Sequence, residues 1–130
     1  MAIEAGGLHH LSIRVTDLAR AKTVLHGDPR LPRGAGVGRA GAGHCQGTLI
    51  GIRGNAPETE DGDTFDPFRV GFDHVALAAH EVDDLERLSR QLDEAAVPNN
   101  GVQDDELTKA KYIRFYDPDG ITWELYAMPE

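Results

Sequence analysis

Two histidines and one glutamate stand out in this 130-residue chain: His10, His74 and Glu124. Each histidine lies in a short segment that alternates polar and apolar residues, and Glu124 lies in another, among aromatics. Neutral imidazole nitrogen binds borderline divalent ions, and one carboxylate partly neutralises the dication. Two imidazoles and a carboxylate converging on a concave surface make a facial three-ligand site with positions left for substrate or water. A strand histidine taken alone is more often structural or solvated, and a strand glutamate is normally a surface charge. The relation between the two histidines changes that balance. Leu8-His9-His10-Leu11-Ser12-Ile13-Arg14-Val15 recurs as Phe72-Asp73-His74-Val75-Ala76-Leu77-Ala78-Ala79 at an offset of 64, so His10 and His74 hold equivalent places. His9 has Asp73 as its counterpart, and strand alternation points His9 to the face opposite His10.

The elements that must position these groups follow the same repeat. Both segments alternate with a period of two and read as strands. Each runs into a helix. In the first half Thr16 or Asp17 can cap it, and Leu18, Ala21 and Leu25 form its apolar stripe. In the second half Asp83 and Asp84 suit the positive end of the helix dipole, and Leu85, Leu88 and Leu92 form the stripe. The offset grows to 67 at the Asp-Leu pairs 17-18 and 84-85, three extra residues before the second helix. Strand signals follow at 47–53 in the first half. In the second, 106–116 and 121–128 flank the tight turn Asp117-Pro118-Asp119-Gly120 and read as a hairpin. Asn100-Gly101 reads as a further turn, just after the helix ends near Val97-Pro98. The expected architecture is α+β: one domain, 1–130, of two βαβββ modules at about 7–55 and 70–128, joined by an acidic linker at about 56–69.

Alternation sorts the side chains of four strands. Leu11, Ile13 and Val15 face the helix, leaving His10, Ser12 and Arg14 opposite; Val75, Leu77 and Ala79 face it next, leaving His74, Ala76 and Ala78. Ile113 and Phe115 go to the core and Tyr112, Arg114 and Tyr116 away from it. Ile121, Trp123 and Leu125 are likewise apolar, with Thr122, Glu124 and Tyr126 on the far side. Arg14 and Arg114 suit a substrate carboxylate or phosphate, or equally an ion pair across neighbouring strands or to Asp117. Tyr112, Tyr116 and Tyr126 can donate hydrogen bonds to a substrate or simply line a cavity. His26 and His80 read as surface residues.

Composition limits the function classes. Thirteen Lys and Arg against 22 Asp and Glu give a net charge of −9, the wrong sign for a nucleic-acid or anionic-membrane binder. With Cys45 as the single cysteine, neither an intramolecular disulfide nor a four-cysteine zinc site can form. No run approaches the roughly 20 apolar residues of a membrane span. The first residues lack a basic region followed by an apolar stretch, so a cytoplasmic location is expected. Gly36, Gly38 and Gly41 spell a Gly-x-Gly-x-x-Gly, but Pro29, Pro32 and Arg33 precede it and no helical stripe follows. The glycine-rich stretch 34–47 therefore reads as a flexible loop rather than a nucleotide cradle.

The strand segments around His10 and His74, together with Phe115-Tyr116-Asp117-Pro118-Asp119-Gly120-Ile121-Thr122-Trp123-Glu124-Leu125, resemble the vicinal oxygen chelate superfamily of glyoxalases, bleomycin-resistance proteins and extradiol dioxygenases. The resemblance implies curled mixed sheets around a metal-centred cavity, with His10, His74 and Glu124 as ligands. It implies one divalent metal, Fe2+ first, with Zn2+, Ni2+, Co2+ or Mn2+ as alternatives. Glyoxalase I-like members add a glutamate in the last strand of module one; here that strand is Thr48-Leu49-Ile50-Gly51-Ile52-Arg53 and carries none. Extradiol dioxygenases carry a tyrosine ten residues before the glutamate, where this chain has Arg114, with Tyr112 and Tyr116 as alternatives. His44 is the stand-in for their acid/base histidine. The implied activity is that of a metal-dependent dioxygenase, lyase or isomerase, with an oxygenase ahead of glyoxalase I. Its substrate is a small molecule with adjacent oxygens, contacted by Arg14, Ser12, Thr122 and Tyr126. The alternative is a metal-free protein that sequesters a cationic small molecule, as bleomycin-resistance proteins do. A homodimer is expected in either case, to cover an open sheet edge.

Overall fold

The computed structural model describes residues 8–25, 42–45 and 48–128. In chain order they form β1 (His10–Arg14), α1 (Leu18–Leu25), β2 (Ala42–Cys45), β3 (Thr48–Arg53), β4 (His74–Ala78), α2 (Val82–Glu94), β5 (Asn99–Asp104), β6 (Lys111–Tyr116) and β7 (Thr122–Ala127). The chain divides into two compact units between Asp63 and Thr64. Among the described residues each holds a mixed sheet and one helix, so the fold is α+β. Among the described residues no helix is long and apolar enough to cross a membrane.

In the first unit the described strands run in the order β1-β3-β2. β1 lies parallel to β3, with His10 opposite Leu49 and Ser12 opposite Gly51. β2 is antiparallel to β3. Ile13, Val15, Ile50 and Ile52 are buried, as is Ala21 of the helix. Asp17 starts α1: its Oδ1 accepts the amides of Ala19 and Arg20 at 2.9 and 3.0 Å, two donors a helix leaves unpaired. β2 falls inside the glycine-rich stretch that reads as a loop from sequence, and its pairing with β3 supplies the order that composition did not announce. The motif residues Gly36, Gly38 and Gly41, and His26, lie outside the described residues.

The second unit is a complete β-α-β-β-β run with sheet order β4-β7-β6-β5. Again the first strand is parallel to the last, with His74 opposite Thr122 and Ala76 opposite Glu124. α2 lies across β5, β6 and β7. Leu85 and Leu92 of its stripe are buried together with Ile113, Phe115, Ile121 and Trp123 of the sheet. The Asp84 carboxylate accepts the amides of His80 and Glu81 at the start of α2, where the dipole also favours a negative charge. The hairpin between β6 and β7 turns on Asp117, whose Oδ1 accepts the amides of Asp119 and Ile121 at 2.9 and 3.0 Å. Burial raises the Asp117 pKa, and these amides oppose that rise. Gly120 closes the turn at φ +78°, a backbone state that favours glycine.

Two local expectations change. Asn100-Gly101 is not a chain reversal but an irregularity inside β5: the register with β6 shifts between Asn99 and Val102, and Gly101 takes φ +65°. An Asn-Gly pair serves a bulge as well as a turn because both need positive φ. The strand expected from 106 begins instead at Lys111. Asp105 gathers the preceding residues into a turn, accepting from the Leu107 amide and the Thr108 hydroxyl.

Candidate metal centre

The far face of the second unit's sheet is built from register. Arg114 stands opposite Glu124, Tyr112 opposite Tyr126 and Tyr116 opposite Thr122 across β6 and β7. β7 is flanked by β4 and β6, so its outward row is sheltered from both sides. Glu124 is 2% exposed and Thr122 is also buried. A carboxylate this buried needs partners. Its Oε1 accepts from Arg114 Nε at 2.8 Å and lies 2.6 Å from Arg114 Nη2. That bond raises the Arg114 pKa and keeps the guanidinium charged.

The other oxygen, Oε2, lies 3.4 Å from His74 Nε2. On the far side of the ring, His74 Nδ1 lies 2.5 Å from Asp73 Oδ1. An ionised carboxylate only accepts, so the shared hydrogen belongs to Nδ1. With the ring neutral, the Nε2 lone pair turns towards Glu124 Oε2, and two acceptors face each other. A cation between them satisfies both, either a proton on Nε2 or a metal ion. Two donors 3.4 Å apart can share one ion at the usual distance of about 2.1 Å, so this pair fits a divalent metal.

His10 belongs to the first unit. It is exposed on β1, and its Nδ1 lies 2.8 Å from His9 Nδ1. His9, expected on the opposite face, touches its neighbour because it precedes the strand, where alternation does not yet apply. Among the described residues no three His, Cys, Asp or Glu side chains gather into a ready metal site; the second unit contributes the pair.

The remaining expected residues are placed as follows. Arg14 Nη1 donates to the Gly54 carbonyl. Ser12 lies on β1 with its Oγ beside Gly51. Tyr112 and Tyr126 stack with ring centroids 5.0 Å apart. The Tyr126 hydroxyl donates to Asp105 Oδ2 at 3.3 Å. Burial first, then the charges of Glu124 and Asp105, push Tyr126 up to about 12, so its phenol stays protonated. Arg114 lies 6.0 Å from the Tyr112 ring centre. His44 falls in β2, where the backbone is described and its side chain is not. Sequence reasoning missed two contributors. Sequence gives Asp73 as the counterpart of His9, and its adjacency to His74 is the signal that marks it. Asn100 accepts the Arg114 amide at 2.7 Å, a contact that the bulge creates and no spacing announces.

Comparison places the chain in a family. Residues 7–125 match the Glyoxalase/Bleomycin resistance protein/Dioxygenase superfamily. The chain belongs to that superfamily. Among solved structures it is similar to the glyoxylase/bleomycin resistance protein/dioxygenase domain from Frankia sp. EAN1pec, with 24% identity and TM-score 0.72 over 98% of this chain and 95% of that one. A glyoxalase/dioxygenase from Nostoc punctiforme is similar at 19% identity and TM-score 0.64, covering 100% of this chain and 99% of that one. A mutant fosfomycin resistance protein FosX from Listeria monocytogenes, complexed with Mn(II) and 1S,2S-dihydroxypropylphosphonic acid, is similar at 17% identity and TM-score 0.63 over 97% and 95%. At these identities the likeness speaks for the fold. No curated protein matches the chain.

Proposed function

We propose that this chain is a metal-dependent enzyme acting on a small molecule with two neighbouring oxygens. In this reading two βαβββ modules, about 7–55 and 70–128, curl around one cavity. His74 and Glu124 hold a divalent ion, and His10 completes the set. Fe2+ is the first choice, with Zn2+, Ni2+, Co2+ or Mn2+ as alternatives. The observation that carries the reading is the pair of facing acceptors, His74 Nε2 and the buried Glu124 Oε2, 3.4 Å apart. When bound, such an ion is a Lewis acid that stabilises negative charge developing on substrate oxygens.

The chain's own residues supply the rest. Arg114 binds and orients Glu124, so it cannot pair fully with a substrate anion without loosening that carboxylate. Tyr112 and Tyr126 offer a stacked aromatic wall, and Tyr116 and Thr122 extend the same face. Tyr126, protonated up to about pH 12, acts as a hydrogen-bond donor and not as a base. Arg14 and Ser12 are assigned to substrate contact, and His44 to proton transfer. A second copy of the chain is assigned to cover an open sheet edge.

Elemental analysis of the purified protein tests the reading. One divalent ion per chain is expected, lost in His74→Ala. Protein that stays metal-free after incubation with iron, zinc, nickel, cobalt and manganese would overturn it. The −9 charge favours a second reading, a metal-free binder of cationic small molecules. Tight binding of a cationic glycopeptide by metal-free protein would select that alternative.

A further inference from the structure

The residue before each strand histidine differs between the halves, and in both it touches the imidazole. Asp73 Oδ1 lies 2.5 Å from His74 Nδ1; at the matching place His9 Nδ1 lies 2.8 Å from His10 Nδ1. A carboxylate can only accept, so it dictates where the imidazole hydrogen sits. A second imidazole can accept or donate, so it leaves the His10 tautomer open. The Asp73 contact is solvent-accessible, with side chains 71% and 40% exposed, and adds little to folding stability. Its consequence is orientation. With Nδ1 carrying the hydrogen, Nε2 is the nitrogen left to coordinate, and it already faces Glu124 Oε2.

We propose that Asp73 is a positioning residue that locks neutral His74 in the Nδ1–H form, making His74 Nε2 and Glu124 Oε2 a preset donor pair for a divalent cation. The proposal deepens the metal-enzyme reading and rests on it for the cation. The tautomer can be tested without any metal. A carboxylate behind a ligating imidazole fixes ring orientation and raises ligand basicity, and losing such a partner typically costs about 10- to 100-fold in metal affinity.

The test uses full-length protein in two measurements. The first is imidazole nitrogen NMR of metal-free protein at about pH 8, above the ordinary imidazole range. His74 is expected as the Nδ1–H tautomer in the wild type, as a mixture in Asp73→Ala, and as Nδ1–H again in Asp73→Asn, whose carbonyl still accepts. The second is calorimetric titration with Zn2+. Asp73→Ala is expected to weaken binding about 10- to 100-fold, and Asp73→Asn to recover part of that loss. A wild-type His74 in the Nε2–H form or carrying both hydrogens at that pH, or an Asp73→Ala protein with unchanged tautomer and affinity, would overturn the proposal. Failure of the wild type to bind Zn2+, Mn2+ or Fe2+ would sink the metal reading, while the nitrogen spectrum still decides the part played by Asp73.

Discussion

β1 and β4 pair alike within their sheets, yet they present their histidines differently. Both lie parallel to the last strand of their sheet, with a histidine at the first position. Two of their differences bear on the histidines. His9 stands where Asp73 does, and Gly51, opposite Ser12, stands where Glu124 does, opposite Ala76. The second unit therefore has an oriented imidazole beside a buried, Arg114-bound carboxylate; in the first, His10 meets a second imidazole, and a glycine stands at the carboxylate's place. Repetition of a backbone pattern sets where a ligand stands. The residues around it decide whether it is ready to bind.

The comparison can be broken most directly at the histidines themselves. If His10 completes the proposed metal set, His74→Ala should weaken Zn2+ binding by roughly 100-fold, and His10→Ala by about tenfold, measured by calorimetry. Equal losses would mean that the two halves contribute alike. The arginines provide the next contrast. Arg114→Ala leaves Glu124 buried without its cation and should cost about 2 kcal/mol in urea unfolding, less than a wholly buried pair because Arg114 is 39% exposed. Arg14→Ala removes an exposed contact to a carbonyl and should cost less than about 0.5 kcal/mol.

Copying one half into the other sharpens the comparison. His9→Asp gives His10 the neighbour that His74 has, and a tightening of Zn2+ binding by about threefold is expected from calorimetry. Unchanged affinity would show that the first-half imidazole is already settled. Gly51 gives the smallest effect. A Cβ there would lie 3.1 Å from Ser12 Oγ, so a few tenths of an ångström must be given up. Gly51→Ala should be near neutral in thermal unfolding of the wild type, because lost chain entropy is recovered against that crowding. In a Ser12→Ala background it should stabilise by about 0.5–1 kcal/mol.

Much of this was legible in the chain. The offset of 64 located both histidine strands, the leucine stripes located α1 and α2, and Asp-Pro-Asp-Gly located the β6–β7 hairpin. These are local patterns, and period-two and 3.6-residue repeats are written in sequence because one face must be buried. The alternation that put Glu124, Arg114, Tyr112 and Tyr126 on one face was also legible. Less legible were β2 in its glycine-rich setting and the bulge at Gly101, where pairing with a distant strand overrides local preference.

Sequence by itself determined which residues were candidates and on which face of a strand they lie, since both follow from periodicity along a single chain. Tertiary structure alone decided what each candidate touches. Arg114 meets Glu124 because strand register sets them opposite each other, and Asp73 meets the ring of His74 at the point where β4 begins. Hydrogen-bond geometry and burial arise from segments far apart in sequence, and no period within one segment encodes them.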